Sequence, residues 1–181
     1  METLGEKVDA ENGLTLSTKV RIVVDTVYVK QPLSLMPFVA IFSAVNSAAV
    51  LCWLALVLLP RWPAVRVTIQ FVVVAGLCTL YAVLIAVYFF RVEGGGFFSL
   101  PAVQKLFESP GVALAGWIHY LAFDLFVGLW IATRSDAVGL SRWLQAPILV
   151  TTFMFGPIGL LLFAAVDRAG RLSFATVRRM R

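Results

Sequence analysis

One imidazole and one carboxyl stand inside a run of residues apolar enough to lie in lipid. The run is GWIHYLAFDLFVGLW, residues 116–130, and it carries Asp124 and the chain's only histidine, His119. These are the side-chain types most used to move protons, so the pair is the first candidate for acid–base chemistry. An aspartate at the centre of a membrane span costs about 2.5–3.5 kcal/mol on insertion scales. At that depth it either takes up a proton or is held by nearby donors. We expect it to be protonated, because no lysine or arginine lies within the apolar runs to pair with it.

Further polar groups fall at similar depth. Tyr120 precedes Asp124 by one helical turn, with Trp117 one turn further back and Gly128 one turn ahead. His119 precedes Asp124 by five residues, a rotation of about 140° and a rise of about 7.5 Å on a helix. The two share no stripe, so a common cavity requires the helix to touch two neighbours. The segment FMFGPIG, residues 153–159, places a proline near the middle of another apolar run. Pro157 cannot donate to the Phe153 carbonyl, and Gly156 and Gly159 let a second helix come close. Irregular backbone at membrane depth lines a cavity or is buried in protein. Asn46 adds an amide in the first apolar run. The expected site is one polar pocket with His119 and Asp124 as catalytic groups, lined by Asn46, Trp117, Tyr120, Phe153, Gly156 and Pro157. Asp124 is expected to donate to the Phe153 carbonyl. The plainer alternatives are an interhelical hydrogen bond for His119 or Asn46 and a simple kink for Pro157.

The elements that must position these groups are helices. Residues 38–59, 67–90, 111–133 and 144–166 are apolar stretches long enough to cross about 30 Å of hydrocarbon. The expected fold is all-α: an integral membrane four-helix bundle over residues 36–166, with a polar segment, 1–35, before it and a basic tail, 167–181, after it. Within 1–35, VRIVVDTVYV alternates weakly, as a short strand or an interfacial segment would. Between the second and third spans, Gly94, Gly95 and Gly96 make a hinge. Ser99 and Pro101 then read as the cap and first turn of a short helix with an apolar face, expected to lie in the interface plane over residues 99–108. Ser109 and Pro110 repeat the signal and open the third span.

Composition agrees with lipid as the solvent. Hydrophobic residues make up 60% of the 181 and charged ones only 14%, against about 25% charged in soluble domains. The net charge of +5 sits beside the apolar runs and in the tail, which suits anionic lipid headgroups and not nucleic acid. Counting lysines and arginines along four spans puts both termini on the richer side, hence cytoplasmic, in what is expected to be a bacterial inner membrane. Cys52 and Cys78 lie inside apolar runs without a CxxC spacing, so neither a disulfide framework nor a zinc knuckle is expected. One histidine is too few for bis-histidine haem, and one histidine with one aspartate is too few ligands for zinc or iron. No dinucleotide or phosphate-loop glycine motif is present.

Taken together, LAGWIHYLAFDLF, the preceding SLPAVQKLFESP and the later FGPIGLL resemble the abscisic-acid-deficient-4-like family of small four-span membrane proteins. The likeness covers roughly residues 38–162. Its sharpest part is Trp117, Ile118 and His119 followed by Asp124, Leu125 and Phe126, supported by Leu106, Phe107, Ser109, Pro157 and Gly159. A plant member of that family is required to make neoxanthin from violaxanthin. The resemblance therefore implies a protein acting on a carotenoid or related isoprenoid in the bilayer. The implied chemistry is opening of an epoxide with loss of a neighbouring proton to give an allene. It needs an acid at the oxygen and a base at the carbon, roles that Asp124 and His119 could divide either way. It is an isomerisation, so no redox cofactor is required and none is expected. Tyr120 stands where plant members carry an aliphatic residue, so its hydroxyl is not essential to that chemistry.

The alternative is a non-catalytic carotenoid- or lipid-binding protein that organises a partner enzyme. A proton-coupled carrier is less favoured, since carriers have more spans and more intramembrane charge. A homo-oligomer would supply some of both.

Overall fold

A computed structural model describes residues 35–59 and 62–179, the last nine as backbone. The chain divides into two units, Met1–Val39 and Ala40–Arg181, and the contacts below are those of the second. The weakly alternating segment near the N-terminus lies outside the described residues.

Among the described residues every regular element is helical. Helix α1 is Met36–Leu58, α2 is Pro63–Arg91, α3 is Leu100–Phe107, α4 is Pro110–Ala137, α5 is Arg142–Met154 and α6 is Gly156–Arg179. Three of them, α1, α2 and α4, are long and apolar enough to cross a membrane. Helix α2 is not uniform. Residues Ile69–Val74 form a π-helical turn, and Phe89–Arg91 close the helix in a 3₁₀ turn.

Helix α4 is the hub. Its 28 residues span about 42 Å, and Ala115, Ile118, Leu125, Ile131 and Ala132 along it are completely or almost completely buried. Its neighbours approach through glycine. A Cβ at Gly128 would collide with the Trp53 ring of α1, and one at Gly111 with the Tyr88 ring of α2. Asn46 meets Trp117 and Trp53 meets Gly128, so α1 runs parallel to α4. Tyr88 meets Gly111 and Tyr81 meets His119, so α2 runs antiparallel. The Ser99 hydroxyl caps α3 by accepting from the Ala102 N–H at 3.3 Å. That helix folds back on its surroundings through Leu106 against Gly95 and Phe107 against Gly116.

The segment expected as a fourth straight span is instead a helical hairpin. Helix α5 begins beside the end of α4, where Gln145 Nε2 donates to the Asp136 carboxyl at 3.1 Å and to the Leu140 carbonyl at 2.7 Å. It ends at mid-depth, where the Phe153 carbonyl faces Tyr120. Helix α6 starts there, with Gly156 against Asp124. It then follows α4 back toward its C-terminal end, with Phe163 edge-on to Trp130 and Asp167 3.9 Å from Arg134. Gly159 packs on the Thr152 backbone. In a straight helix those residues would lie about 10 Å apart.

The reversal has a compact backbone cause. Phe155 leaves the helical region, with φ −145° and ψ 63°. Its N–H closes α5 by donating to the Thr151 carbonyl at 2.7 Å. Its carbonyl opens α6 by accepting from Ile158 at 2.8 Å and Gly159 at 3.2 Å. Pro157 therefore lies in the first turn of α6, where a missing N–H costs nothing. It helps to start a helix, and the mid-span kink expected of it does not occur.

The hairpin returns the chain to the end of the bundle from which it came. A reporter fused after Arg181 should therefore give the same side as one inserted at Gly139, and the opposite side from one at Gly95. If the C-terminal fusion reports with Gly95, the segment crosses and the hairpin is wrong.

Candidate functional site

Position 124 lies fourteen residues into the 28-residue α4, so its carboxyl is at the middle of the helix. The side chain points to the hairpin tip. A Cβ on Gly156 would overlap the Asp124 carboxyl, so any larger residue there must push that side chain aside. Tyr120, one turn back on the same face, donates to the Phe153 carbonyl at 2.9 Å. The Oδ2 atom of Asp124 is buried and has no hydrogen-bond partner. Thus the carbonyl expected to take its proton from Asp124 takes it from Tyr120, and the carboxyl sits beside the start of α6.

Asn46 and Trp117 form a separate link. Trp117 Nε1 donates to Asn46 Oδ1 at 3.0 Å, and Asn46 Nδ2 donates to the Phe42 carbonyl at 2.9 Å. Trp117 also packs on Phe42 and Tyr120, with ring centroids 5.6 and 5.4 Å apart. The amide is satisfied within α1 and by α4, so it does not join Asp124. One stripe of α4, formed by Trp117, Tyr120 and Asp124, thus binds α1 at one level and the hairpin tip at the next.

His119 faces elsewhere. Its ring stacks on Phe123, one turn ahead, with centroids 4.5 Å apart, and lies 5.4 Å from the Tyr81 ring of α2. It is exposed at the protein surface, at a level of the helix that lipid surrounds. The structure brings Asp124, Tyr120, Phe153 and Gly156 together, with Pro157 in the same turn. It does not bring His119 and Asp124 onto one neighbour. The 140° rotation between them leaves His119 on the α2 flank and Asp124 on the hairpin flank.

The α2 flank holds a feature that residue types alone do not reveal. An apolar groove of about 410 Å³ runs between α2 and α4, walled by Phe71, Val74, Ala75, Ala122, Phe123 and Phe126. Its α2 wall includes part of the π-helical turn, a local widening often found at functional sites. Phe123 belongs both to the groove and to the His119 stack, so the imidazole stands beside the groove. Tyr81, across from His119, is the partner that sequence reasoning missed. The available signal was its placement: one turn after Leu77 and two before Tyr88, it lies on the face of α2 turned toward α4.

Among the described residues no group of three or more histidine, cysteine, aspartate or glutamate side chains could hold a metal ion.

Tyr120→Phe should leave the Phe153 carbonyl without its donor and cost about 1 kcal/mol. Gly156→Ala should force Asp124 aside and cost about 1–3 kcal/mol. Thermal unfolding in detergent measures both. Amide exchange should rise over residues 150–160 and stay unchanged in α1 and α2. Unaltered exchange at 150–160 in both variants would mean that these contacts do not hold the tip.

The comparisons with known proteins give one match. The model of the ABA DEFICIENT 4-like family matches residues 40–163. No curated protein and no solved structure matches the chain.

Proposed function

The chain belongs to the ABA DEFICIENT 4-like family, and from that premise we propose that it binds a carotenoid or related long isoprenoid inside the bilayer and isomerises it. The observation that carries this reading is the lipid-facing apolar groove between α2 and α4, with His119 and Tyr81 beside it. A long hydrocarbon lying there needs no route through water. His119 would take a proton from carbon as the carbon–oxygen bond of an epoxide opens. The Tyr81 hydroxyl would donate to the oxygen that is released, as tyrosines do at developing oxyanions. Atoms and electrons balance without a redox partner. Asp124 is then a positioning residue that seats the hairpin, and the acid at oxygen comes from the α2 flank.

A second reading, a non-catalytic binder that serves a partner enzyme, draws on one specific observation. His119 and Asp124, the two groups best suited to act as an acid–base pair, face different neighbours.

For orientation we propose that the end of the bundle holding the α4–α5 turn is cytoplasmic. Arg66, Arg134, Arg142, Arg168, Arg171, Arg178 and Arg179 gather there, against Arg91 and Lys105 at the other end of the second unit. The cell's cytoplasmic membrane is the proposed location. Anionic headgroups are the proposed contacts of the basic tail.

Pigment and lipid profiles of cells with and without the gene, joined to mass spectrometry of what copurifies, test the function. His119→Phe should fold normally and keep the copurifying isoprenoid while product falls at least about 100-fold. Asp124→Asn should retain the hairpin. If His119→Phe makes product at the wild-type rate, the catalytic reading fails and the binding reading replaces it.

A further inference from the structure

Three polar side chains on the α2–α4 flank have no hydrogen-bond partner among the described residues. They are the imidazole of His119, the hydroxyl of Tyr81 and the amide of Gln70. The rings of the first two lie 5.4 Å apart, and that of His119 also stacks on Phe123. Gln70 lines the apolar groove and is exposed at the protein surface. Its place in the sequence, seven residues into the 29-residue α2, puts it about 10 Å inside the helix end. Gln70 and Tyr81 are eleven residues apart (81 less 70), or about 16 Å along the helix axis. The flank therefore has an amide in the groove toward one end and an imidazole–hydroxyl pair beyond Phe123 at the other, with an aromatic and aliphatic wall between.

Amides in hydrocarbon are costly when they make no hydrogen bond. Gln70 is not spent on the fold: it caps no helix and bridges no pair of helices. Its backbone already belongs to the π-helical turn, and a leucine or valine would serve lipid contact better. The π turn also widens α2 where the amide projects. The economical partner for such a group is a ligand oxygen.

We propose that Gln70 is the specificity-determining residue of this groove. It selects, among long isoprenoids, those bearing a hydroxyl or other hydrogen-bonding oxygen about 16 Å along the chain from the part that meets His119 and Tyr81. This rests on the reading of the groove as the isoprenoid site. An amide both donates and accepts, so it takes a hydroxyl in either orientation. Gln70 touches the end of the ligand remote from the chemistry, fixing how far the chain slides along the groove. It is a register stop and takes no part in proton transfer.

The test uses the full chain in lipid nanodiscs and two probes of equal length: an isoprenoid epoxide with a hydroxyl about 16 Å along the chain from the epoxide, and the same epoxide without the hydroxyl. Wild type should hold the hydroxylated probe about tenfold more tightly, the weight of one intramembrane hydrogen bond at the strong end of its range. Gln70→Leu and Gln70→Met should bind both probes alike, at the level of the hydroxyl-free probe in wild type. Gln70→Asn should recover part of the preference. Equal binding of the two probes by wild type, or a preference that survives both apolar substitutions, overturns the role of Gln70 and leaves the groove standing. Failure of wild type to bind either probe overturns the groove reading itself and the proposal with it.

Discussion

Hydrocarbon offers no hydrogen-bond partner, and that constraint governs the centre of this molecule. A helix that breaks in water can hand its loose carbonyls to solvent, whereas one that breaks at mid-membrane must find donors within the protein. The reversal at Phe155 meets part of this requirement from its own backbone: one residue ends α5 with its N–H and starts α6 with its carbonyl. The Phe153 carbonyl is left over, and the Tyr120 hydroxyl answers it at 2.9 Å. Gly156 carries no side chain, and the Asp124 carboxyl fills the space beside it. Remove any of these and the reversal loses either a donor or its room.

The same helix that supplies Tyr120 and Asp124 also organises the rest. Its surface is divided by rotation. One stripe, Trp117–Tyr120–Asp124, meets α1 and the hairpin with polar contacts. Another, His119–Phe123, meets α2 with rings. Small residues set the distances: Gly128 accepts Trp53 and Gly111 accepts Tyr88. In lipid, packing of this kind carries much of what apolar burial carries in a soluble core. The functional reading follows from the division. A carboxyl turned into the protein can stabilise structure, while an imidazole turned toward lipid can meet what is dissolved there.

Much of this could be read from residues alone, and the remainder could not for definite reasons. Uninterrupted apolar length located α1, α2 and α4, because crossing a bilayer is a requirement on length. The Ser99 cap and its following proline located α3. Residues 144–166 met the same length test and were expected as one straight helix. Hydropathy measures how apolar a segment is, and a hairpin of two short arms is as apolar as a single rod. The information was in Gly156, Pro157 and Gly159, which allow an abrupt reversal and close approach, yet the same residues are also found in kinked straight spans. For the candidate site, the 140° between His119 and Asp124 was available from their spacing. Which neighbour occupied each flank was not, since that depends on how distant helices dock. Tyr81 shows the same limit: its partner is 38 positions away, and no local pattern joins them.

The hairpin bears on how the protein is made. Each of the first three long helices leaves its connecting loop on the opposite side of the membrane from the one before, so assembly must pass polar backbone and side chains through the bilayer. The α5–α6 segment makes no such demand. Its leading edge is Phe153, Met154, Phe155 and Ile158, all apolar, and the arginines that follow Asp167 stay on the face where Arg142 began. The last fifth or so of the chain can slide in from one side after the preceding helices are seated, against the face of α4 that carries Tyr120 and Asp124. Insertion of this part becomes a docking reaction between a finished three-helix platform and an apolar wedge, with no translocated loop and no passage of its basic tail across the membrane.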